Sequence, residues 1–427
     1  MEDIFLTSVD IQKVRHLHDI SIPLSDKERK HLILTGKNGS GKTSVLDALS
    51  SFLAYAVRDE FSQRYRERIK YYNAELGNRA CASFSTFSIL IPKKALYQYT
   101  PESTGITWKE KTRNSDYPCN KLNPQESRVT GSYTSFTTLR KKYRDGHFIL
   151  AYYKADRRSK VAAFIAAENE LKSQYAFDEN PGAKLVQYMV GMKSIQARAL
   201  RKGDADRAAE IDAWFTRFEN ILKRVFDDST LKLKFDDEKL QFHILQSNRE
   251  PFDFNTMSSG YSAIFAIIND LVMRMENAKD YSTEGIVLID EIEAHLHLQL
   301  QKEILPLLTE LFPNIQFIVT SYSPFILNSI QNAVIYDLET QKLVADGLSN
   351  YPYDGIVEGY FQADILSDSL REKLKRYAAL VKKPNLSDED YAEIMELEQD
   401  LDEIPDFLSP EIASRYSQLK LELSNKG

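Results

Sequence analysis

The sequence of 427 residues predicts an α/β fold in which the strands of a mixed sheet alternate with helices. Two largely apolar runs, at 31–35 and 286–289, carry this prediction, because each is short and ends in a polar loop, as buried strands do. Helical periodicity follows the first run at 44–49, and it precedes the second run from Ala263 to Met275.

The loop after the first strand has the spacing G-x-x-x-x-G-K-[ST] and is called the phosphate loop here. Glycines let successive backbone N–H groups form a concave nest for phosphate oxygens, and the N-terminus of the following helix adds a favourable dipole. Lys42 can reach the β- and γ-phosphates of a nucleoside triphosphate, and the Thr43 hydroxyl can bind Mg²⁺. The predicted ATP-binding residues are Gly36, Asn38, Gly39, Ser40, Gly41, Lys42, Thr43 and Ser44.

The second apolar run ends in two carboxylates, Asp290 and Glu291, which are called the acid pair here. A carboxylate at the end of a strand beside a phosphate loop is where such proteins hold magnesium, so Asp290 is a candidate metal ligand with Thr43. The second acid can polarise an attacking water. Glu291 is therefore the candidate general base, and Lys42 joins it in the predicted catalytic set.

Three further segments resemble motifs of one family. Residues 256–261, the signature loop, resemble the L-S-G-G-Q of ABC-type ATPases, with matches at Ser258 and Gly260. Residues 293–297 follow the pattern E-x-H-L-H, and residues 320–324, the switch loop, resemble T-T-H-S-P with Tyr322 in the place of the histidine. Arg15 matches the arginine of an N-F-R motif before the first hairpin.

The chain thus resembles the SMC/RecF/OLD-type ABC ATPases. This resemblance implies a P-loop ABC-type ATPase head in which ATP and Mg²⁺ lie between two heads, and hence a homodimer or higher oligomer. Ser258 and Gly260 would contact the γ-phosphate bound by the other copy, and Arg15 would contribute to the ATP site. Tyr322 would take the place of a histidine that contacts the γ-phosphate. A phenol does not titrate near neutrality, which leaves the rate of hydrolysis open.

We expect four parts along the chain. Residues 1–160 form the N-terminal part of the head, 161–230 a helical insertion, 231–350 the C-terminal part of the head, and 351–427 an acidic helical extension. Strands are predicted at 80–95 and 147–153, and helical periodicity extends over 161–227. The polar region 97–138 is predicted to be an exposed loop or a hairpin excursion, and residues 231–245 a β-hairpin.

Composition narrows the function further. The net charge of −7 argues against a general polyanion binder. The sequence contains no run of eighteen apolar residues, so no membrane span is predicted. Two distant cysteines suit a reducing cytoplasm, the expected location. Basic residues around 141–160 fit either contact with phosphates or an ordinary solvated face, and Arg157 is the strongest candidate for a phosphate contact.

Compact heads of this kind resemble the ATPase subunits of bacterial anti-phage systems such as Septu and PARIS. The resemblance implies a sensor or scaffold that works with a separate effector chain, expected to be a nuclease. The acidic stretch at 386–427 carries an apolar helical stripe that fits either docking on its own domain or binding a partner. The alternatives are a RecF-like DNA-repair ATPase that binds DNA directly and an ATP-dependent scaffold without hydrolysis.

Overall fold

A computed structural model describes residues 3–57, 98–102, 105–109, 128–133, 136–157, 171–172, 174–177, 179–247, 249–276, 281–361, 368–402 and 410–424. The chain divides into two compact units, Met1–Tyr351 and Pro352–Gly427. The strand predicted at 80–95 and the first ten residues of the predicted helical insertion lie outside the described residues. The four-part division of the chain remains a prediction.

Thirteen strands are described. They are β1 Leu6–Val14, β2 Leu17–Pro23, β3 His31–Thr35, β4 Gln98–Glu102, β5 Gly105–Lys109, β6 Arg128–Tyr133, β7 Phe148–Tyr153, β8 Lys232–Asp236, β9 Gln241–Leu245, β10 Glu284–Ile289, β11 Ile315–Thr320, β12 Ala333–Asp337 and β13 Leu343–Val344.

The described helices of the first unit are α1 Lys42–Ala56, α2 Phe136–Arg144, α3 Leu185–Lys202, α4 Ala205–Val225, α5 Ser259–Glu276, α6 Leu298–Leu311 and α7 Pro324–Leu327. Those of the second unit are α8 Tyr353–Gly355, α9 Asp368–Lys382, α10 Asp388–Asp402 and α11 Pro410–Ser424. No helix among the described residues is long and apolar enough to cross a membrane.

The central sheet has six strands in the order β13-β12-β3-β11-β10-β7. All neighbours are parallel except β12 and β13, which makes the sheet mixed, as predicted. Its central strands β3, β10 and β11 are almost entirely buried, which explains their near-continuous apolar sequences. Residue 34 pairs with 320, and Ile289 pairs with both 319 and 153, so the carboxyl ends of four strands meet at one edge.

A second, antiparallel sheet has the order β2-β1-β6. Its third strand, β6, lies inside the region 97–138, which the sequence predicts to be an exposed loop or hairpin excursion. Strands β4 and β5 of this region pair as an antiparallel hairpin, in line with that prediction. Strand β6 instead pairs with β1, so the prediction is wrong for residues 128–133. Residues 128–133 contain one large aliphatic side chain, Val129, and a glycine, which gives no strand periodicity. Pairing along β1 forms the strand instead.

The helical insertion differs from its predicted periodicity at its start. The described residues between 171 and 180 are not helical, and helix α3 begins only at Leu185, after a 3₁₀ turn over Pro181–Lys184. Asn180 and Pro181 favour a turn here, because proline lacks the amide that a continuing helix needs. Gly182 packs so closely on helix α5 that an added Cβ would lie 2.5 Å from the Asp270 nitrogen.

A buried polar network joins helix α5 to strand β7. Asp270 is fully buried and accepts hydrogen bonds from Tyr153 Oη at 2.6 Å and from Arg274 Nε at 2.7 Å. Arg274 also donates to the Leu150 carbonyl oxygen at 3.3 Å. Removing one partner would leave an uncompensated buried charge, which typically costs about 3–5 kcal/mol. The network therefore fixes α5 against the strand beside β10.

The second unit is a helical bundle with its own core. Its buried side chains come from all three longer helices and are Leu374, Tyr377, Leu380, Val381, Ile394, Leu401, Tyr416 and Leu419. The apolar stripe predicted on α10 is divided, because Ile394 and Leu401 are buried in this core while Tyr391 is 52% exposed. Met395 is 67% exposed. Docking on its own unit thus explains only part of the stripe.

We predict that His31 destabilises the head in acid. Its Nδ1 accepts a hydrogen bond from the Phe317 amide at 3.1 Å, and burial lowers its pKa to about 4 from the usual 6.5. Because the folded state resists protonation, stability is lost as the pH falls from about 6.5 towards 4. Between pH 7 and 4.5 the free energy of unfolding, measured with denaturant, should fall by roughly 2–3 kcal/mol less in His31→Gln than in the wild type. An acid-dependent loss of stability that is as large in His31→Gln as in the wild type would contradict the assignment.

Candidate functional site

The phosphate loop has the backbone that its glycines permit. Gly36, Gly39 and Gly41 have φ angles of 130°, 88° and 99°, a region that other residues rarely adopt. A Cβ on Gly36 would lie 2.8 Å from the Ser40 hydroxyl oxygen. A Cβ on Gly41 would lie 3.0 Å from the Leu17 side chain, so the turn between β1 and β2 packs on the loop.

Lys42 is the first residue of helix α1, and its side chain reaches back over the loop. Its Nζ donates hydrogen bonds to the carbonyl oxygens of Gly36 and Lys37. The residue is 8% exposed, and burial lowers its pKa, against an opposing effect of the nearby Glu293, Glu291 and Asp290. An ammonium that donates only to backbone carbonyl oxygens at the loop suits a phosphate ligand, whose oxygens can replace those carbonyls.

The loop also fits a phosphate group in its remaining polar atoms. The Ser40 hydroxyl is buried and makes no hydrogen bond within the described part of the chain. A Cβ on Gly39 would meet no atom within 4 Å, so open space adjoins the nest. Asn38 and Thr43 are exposed and Ser44 is half-buried, which leaves their side chains accessible. This donor set fits the phosphates of ATP, and the Thr43 hydroxyl is a candidate ligand for magnesium.

The acid pair is held by Thr320, the last residue of β11. Its hydroxyl donates to Asp290 Oδ1 at 2.6 Å and accepts a hydrogen bond from the Glu291 amide at 2.7 Å. Asp290 is 3% exposed, whereas Glu291 is exposed and has a φ of 44°. The pair therefore has distinct roles available to it, with a buried carboxylate suited to a metal and an exposed one suited to contact with water.

Glu293 is a site residue to which the sequence assigned no role. Its Oε1 accepts a hydrogen bond from the Tyr322 amide at 2.8 Å, so it fixes the backbone of the switch loop. Oε2 is buried without a well-formed hydrogen bond, although Ser321 is near enough to lower the pKa of this carboxyl. Burial has the larger effect and raises that pKa. The E-x-H-L-H pattern was the available signal for this residue.

Tyr322 lies near Lys42 of the phosphate loop. The centroid of its ring is 5.9 Å from Lys42 Nζ, and the side chain is 41% exposed. Ser321 is fully buried, and its amide donates to the Leu34 carbonyl oxygen at 3.0 Å. This bond connects the switch loop to the strand that leads into the phosphate loop.

Arg157 is buried, and its expected contact with a phosphate is wrong. Its terminal nitrogens donate instead to carbonyl oxygens, reaching Asp290 at 2.7 Å, Glu291 at 3.1 Å and Ile292 at 2.7 Å. The sequence could not show this, because backbone carbonyls leave no trace in residue identity. The guanidinium thus supports the acid pair from behind.

The signature loop packs against the end of the segment 293–297. Ser258 is exposed, and Gly260 is buried at the start of α5. A Cβ on Gly260 would lie 3.3 Å from the His295 carbonyl oxygen and 3.2 Å from the Leu300 side chain. Among the described residues no hydrogen bond joins Ser258 or Gly260 to Lys42 of the same chain.

Arg15 lies in the turn between β1 and β2, with a φ of 51° and an exposed side chain. Its neighbours His16 and Leu17 approach Gly41. The structure therefore brings Lys42, Asp290, Glu291 and Tyr322 together and places the Arg15 turn beside them. It leaves the signature loop as a separate surface.

The fold and this site define a head of the ABC-type P-loop ATPases. The model of the family described as the RecF/RecN/SMC N terminal domain matches residues 5–343, and the chain belongs to this family.

Curated relatives carry defence-system names. The Septu protein PtuA of Bacillus thuringiensis is 25% identical over 367 residues, covering 82% of this chain and 80% of the relative. The retron Vc95 probable ATPase of Vibrio cholerae serotype O1 biovar El Tor is 22% identical over 425 residues, covering 85% and 81%. The Septu protein PtuA of Bacillus mycoides (strain KBAB4) is 35% identical over 157 residues, but the match spans only 22% of that relative. The resemblance to Septu ATPases is confirmed, and the retron ATPases were not anticipated.

Two solved SMC heads align with this chain at low sequence identity. The SMC head domain from Thermotoga maritima has 14% sequence identity and a TM-score of 0.36, covering 78% of this chain and 94% of its own. An SMC head bound to the C-winged helix domain of ScpA has 13% identity and a TM-score of 0.39, covering 82% and 100%.

We predict that Lys42→Ala lowers the affinity for ATP by at least about 100-fold, because two charge-assisted hydrogen bonds to phosphate are each worth about 1.5–3 kcal/mol. Lys37→Ala is the matched control. Lys37 belongs to the same loop, but its ammonium is exposed and paired with Glu339 at 3.1 Å. Calorimetry should show near-normal affinity for the control, and unchanged affinity in Lys42→Ala would overturn the assignment of the phosphate loop.

Proposed function

We propose that the chain is an ATP-binding and hydrolysing subunit that works through head dimers. The observation that carries this proposal is the meeting of the phosphate loop and the acid pair at the carboxyl ends of β3, β11 and β10. Lys42 supplies a cation on one side, and Asp290 and Glu291 supply carboxylates on the other. Family membership and the ATPases among the relatives support the same activity.

The proposed reaction is the hydrolysis of ATP to ADP and phosphate. Water forms a bond to the γ-phosphorus as the bond to the β–γ bridging oxygen breaks, and the exposed carboxylate of Glu291 accepts a proton from that water. Lys42 compensates negative charge on the phosphates. Thr43 and Asp290 would hold Mg²⁺, which neutralises charge developing on the phosphate oxygens when it is bound.

Tyr322 is proposed to contact the γ-phosphate in place of a histidine. Its position near Lys42 and its backbone bond to Glu293 support this role. A tyrosine hydroxyl donates one hydrogen bond and stays neutral, so it can orient a phosphate oxygen without becoming a cation. The switch position would then act in positioning, and its effect on rate would not follow a histidine titration.

Two copies are needed to complete the site in this proposal. The signature loop is exposed at Ser258, and Gly260 of the same loop packs on the backbone at His295. A second head approaching from the nucleotide side would place its own Ser258 and Gly260 against the γ-phosphate. A symmetric dimer would contain two such shared sites.

For the biological role we propose a sensor or scaffold in a bacterial anti-phage complex with a separate effector protein, in line with the Septu and retron names of the relatives. The docking surface proposed for the effector is the outer face of α10, where exposed Tyr391 and Met395 lie among acidic residues. Such a face fits a partner with basic and apolar side chains.

Direct binding of DNA through the basic residues around 141–160 has less support. Arg157 is engaged with backbone carbonyls, and Lys142 forms an ion pair with Glu284 at 2.8 Å, with both side chains largely buried. These two cations are therefore already compensated inside the head. The alternative of an ATP-dependent scaffold without hydrolysis differs from our proposal only in ATP turnover. A measurement of turnover therefore distinguishes the two.

Glu291→Gln should bind ATP normally and lose turnover by about 10²–10⁴-fold, because an amide cannot accept the proton from water. It should also accumulate an ATP-bound dimer, visible by light scattering. Glu310→Gln is the control, since Glu310 is exposed on α6 and pairs with Arg224 outside the site. Turnover by Glu291→Gln at the wild-type rate would exclude Glu291 as the base, and a wild-type protein that binds ATP without turnover would favour the scaffold.

Deleting Pro352–Gly427 tests the docking surface. Removing only residues 386–427 would uncover apolar residues of α9, among them Tyr377 and Leu380, so the whole unit is the sharper deletion. We expect the remaining head to stay folded, bind ATP within about twofold of wild type, and lose its co-purifying effector.

The double variant Tyr391→Lys/Met395→Lys, which leaves the bundle core intact, should lose the same effector. Retention of the effector by the deletion variant would place docking elsewhere, most directly on the helical insertion. An insoluble deletion variant would show that the second unit belongs to the core of the head.

A further inference from the structure

Glu291 has an unusual backbone for a residue with a long side chain. Its φ of 44° lies in the left-handed region, where the Cβ of any residue other than glycine crowds the backbone. Such a conformation persists only where the surroundings determine it, and it often marks a functional position.

The amide side of the turn is held by one residue. The Glu291 amide donates to Thr320 Oγ1 at 2.7 Å, and the following amide, of Ile292, donates to the Thr320 carbonyl oxygen at 3.1 Å. Both bonds anchor the turn to the end of β11, which lies beside β10 in the central sheet.

The carbonyl side of the turn is held by Arg157. Its two terminal nitrogens make four hydrogen bonds, to the carbonyl oxygens of Lys154, Asp290, Glu291 and Ile292. These use the four N–H groups of the planar fork, a geometry that a lysine ammonium cannot reproduce. Three consecutive carbonyls are thereby directed towards one group.

Strand β7 sets the position of Arg157. The bond to the Lys154 carbonyl oxygen fixes the guanidinium to the end of this strand, and the Asp290 amide donates to the Tyr153 carbonyl oxygen at 2.8 Å. Burial lowers the pKa of Arg157 to about 10, which still leaves it a cation at neutral pH. The turn is therefore held between β11 and β7, on the two sides of β10.

We propose that Arg157 is a positioning residue that holds the backbone of Glu291 in its left-handed turn and so directs this carboxylate towards the attacking water. The proposal rests on the proposed function in assigning Glu291 to water activation. Arg157 acts through the acid pair, since the N–H groups of its two terminal nitrogens are engaged with backbone carbonyl oxygens, while its Nε is buried without a hydrogen-bond partner among the described residues.

The first test is Arg157→Lys in the full chain. We expect kcat to fall at least tenfold while the Kd for ATP stays within about threefold of wild type, because the phosphate loop is untouched. The same substitution in a Glu291→Gln background should cause little further loss of turnover, since both changes act on one group. Arg29→Lys is the matched control, because Arg29 also donates to a backbone carbonyl, that of Pro313, outside the site.

A second readout is independent of turnover. Glycine adopts the left-handed region without strain. A Glu291→Gly chain should therefore depend less on the hydrogen bonds from Arg157 to hold the turn. Arg157→Lys should lower the Tm by about 2 °C or more in the wild-type background and by less than half as much in the Glu291→Gly background. An equal drop in both backgrounds, or a loss of ATP affinity matching the loss of kcat, would overturn the proposal. If the Tm drop is smaller in the Glu291→Gly background but Glu291→Gln still hydrolyses ATP, Arg157 does hold the turn, and Glu291 is not the general base.

Discussion

The parallel pairing of β3, β11, β10 and β7 is the constraint on which the candidate site depends. Residue 34 pairs with 320, and 289 pairs with both 319 and 153, so four strands end at nearly the same level. The phosphate loop, the switch loop, the acid pair and the Arg157 turn each leave the sheet there. A shift of one residue in any pairing would separate donors and acceptors that now lie within hydrogen-bond distance.

The segment 290–297 connects the two surfaces that the proposed function requires. At its start, the acid pair faces Lys42 and is supported by Thr320 and Arg157. At its end, the backbone at His295 packs on Gly260 of the signature loop. The bond from the Tyr322 amide to Glu293 adds the switch loop to the same segment. A change at the nucleotide would therefore reach the dimer surface through packed contacts, and helix α5 would carry it to the insertion through the Asp270 network.

The sequence predicted the parts of the fold whose signal is local. The phosphate loop, strands 31–35 and 286–289 and helix α5 follow from glycine spacing and apolar periodicity. The sequence did not predict β6, because pairing with β1 forms that strand and residues 128–133 carry no periodicity of their own. It also missed what Glu293 and Arg157 do, because both bind backbone atoms of residues far away in the chain. The sequence also did not predict that the α10 stripe is divided. Both Tyr391 and Ile394 fit one apolar stripe, and only packing in the bundle leaves Tyr391 exposed and Ile394 buried.

The central claim is that each ATP site is shared by two copies, with Lys42 and Glu291 from one and Ser258 from the other. Mixing Lys42→Ala chains with Ser258→Arg chains tests it most directly, because only a mixed dimer has one intact site. Random pairing at equal amounts should restore about a quarter of wild-type turnover, whereas each parent alone should be inactive. Mixing Lys42→Ala with Glu291→Gln should restore nothing, since both changes fall on the same side of the site. The shared site would be contradicted if the mixture of Lys42→Ala and Ser258→Arg chains hydrolysed ATP no faster than either parent. It would also be contradicted if both mixtures restored turnover equally.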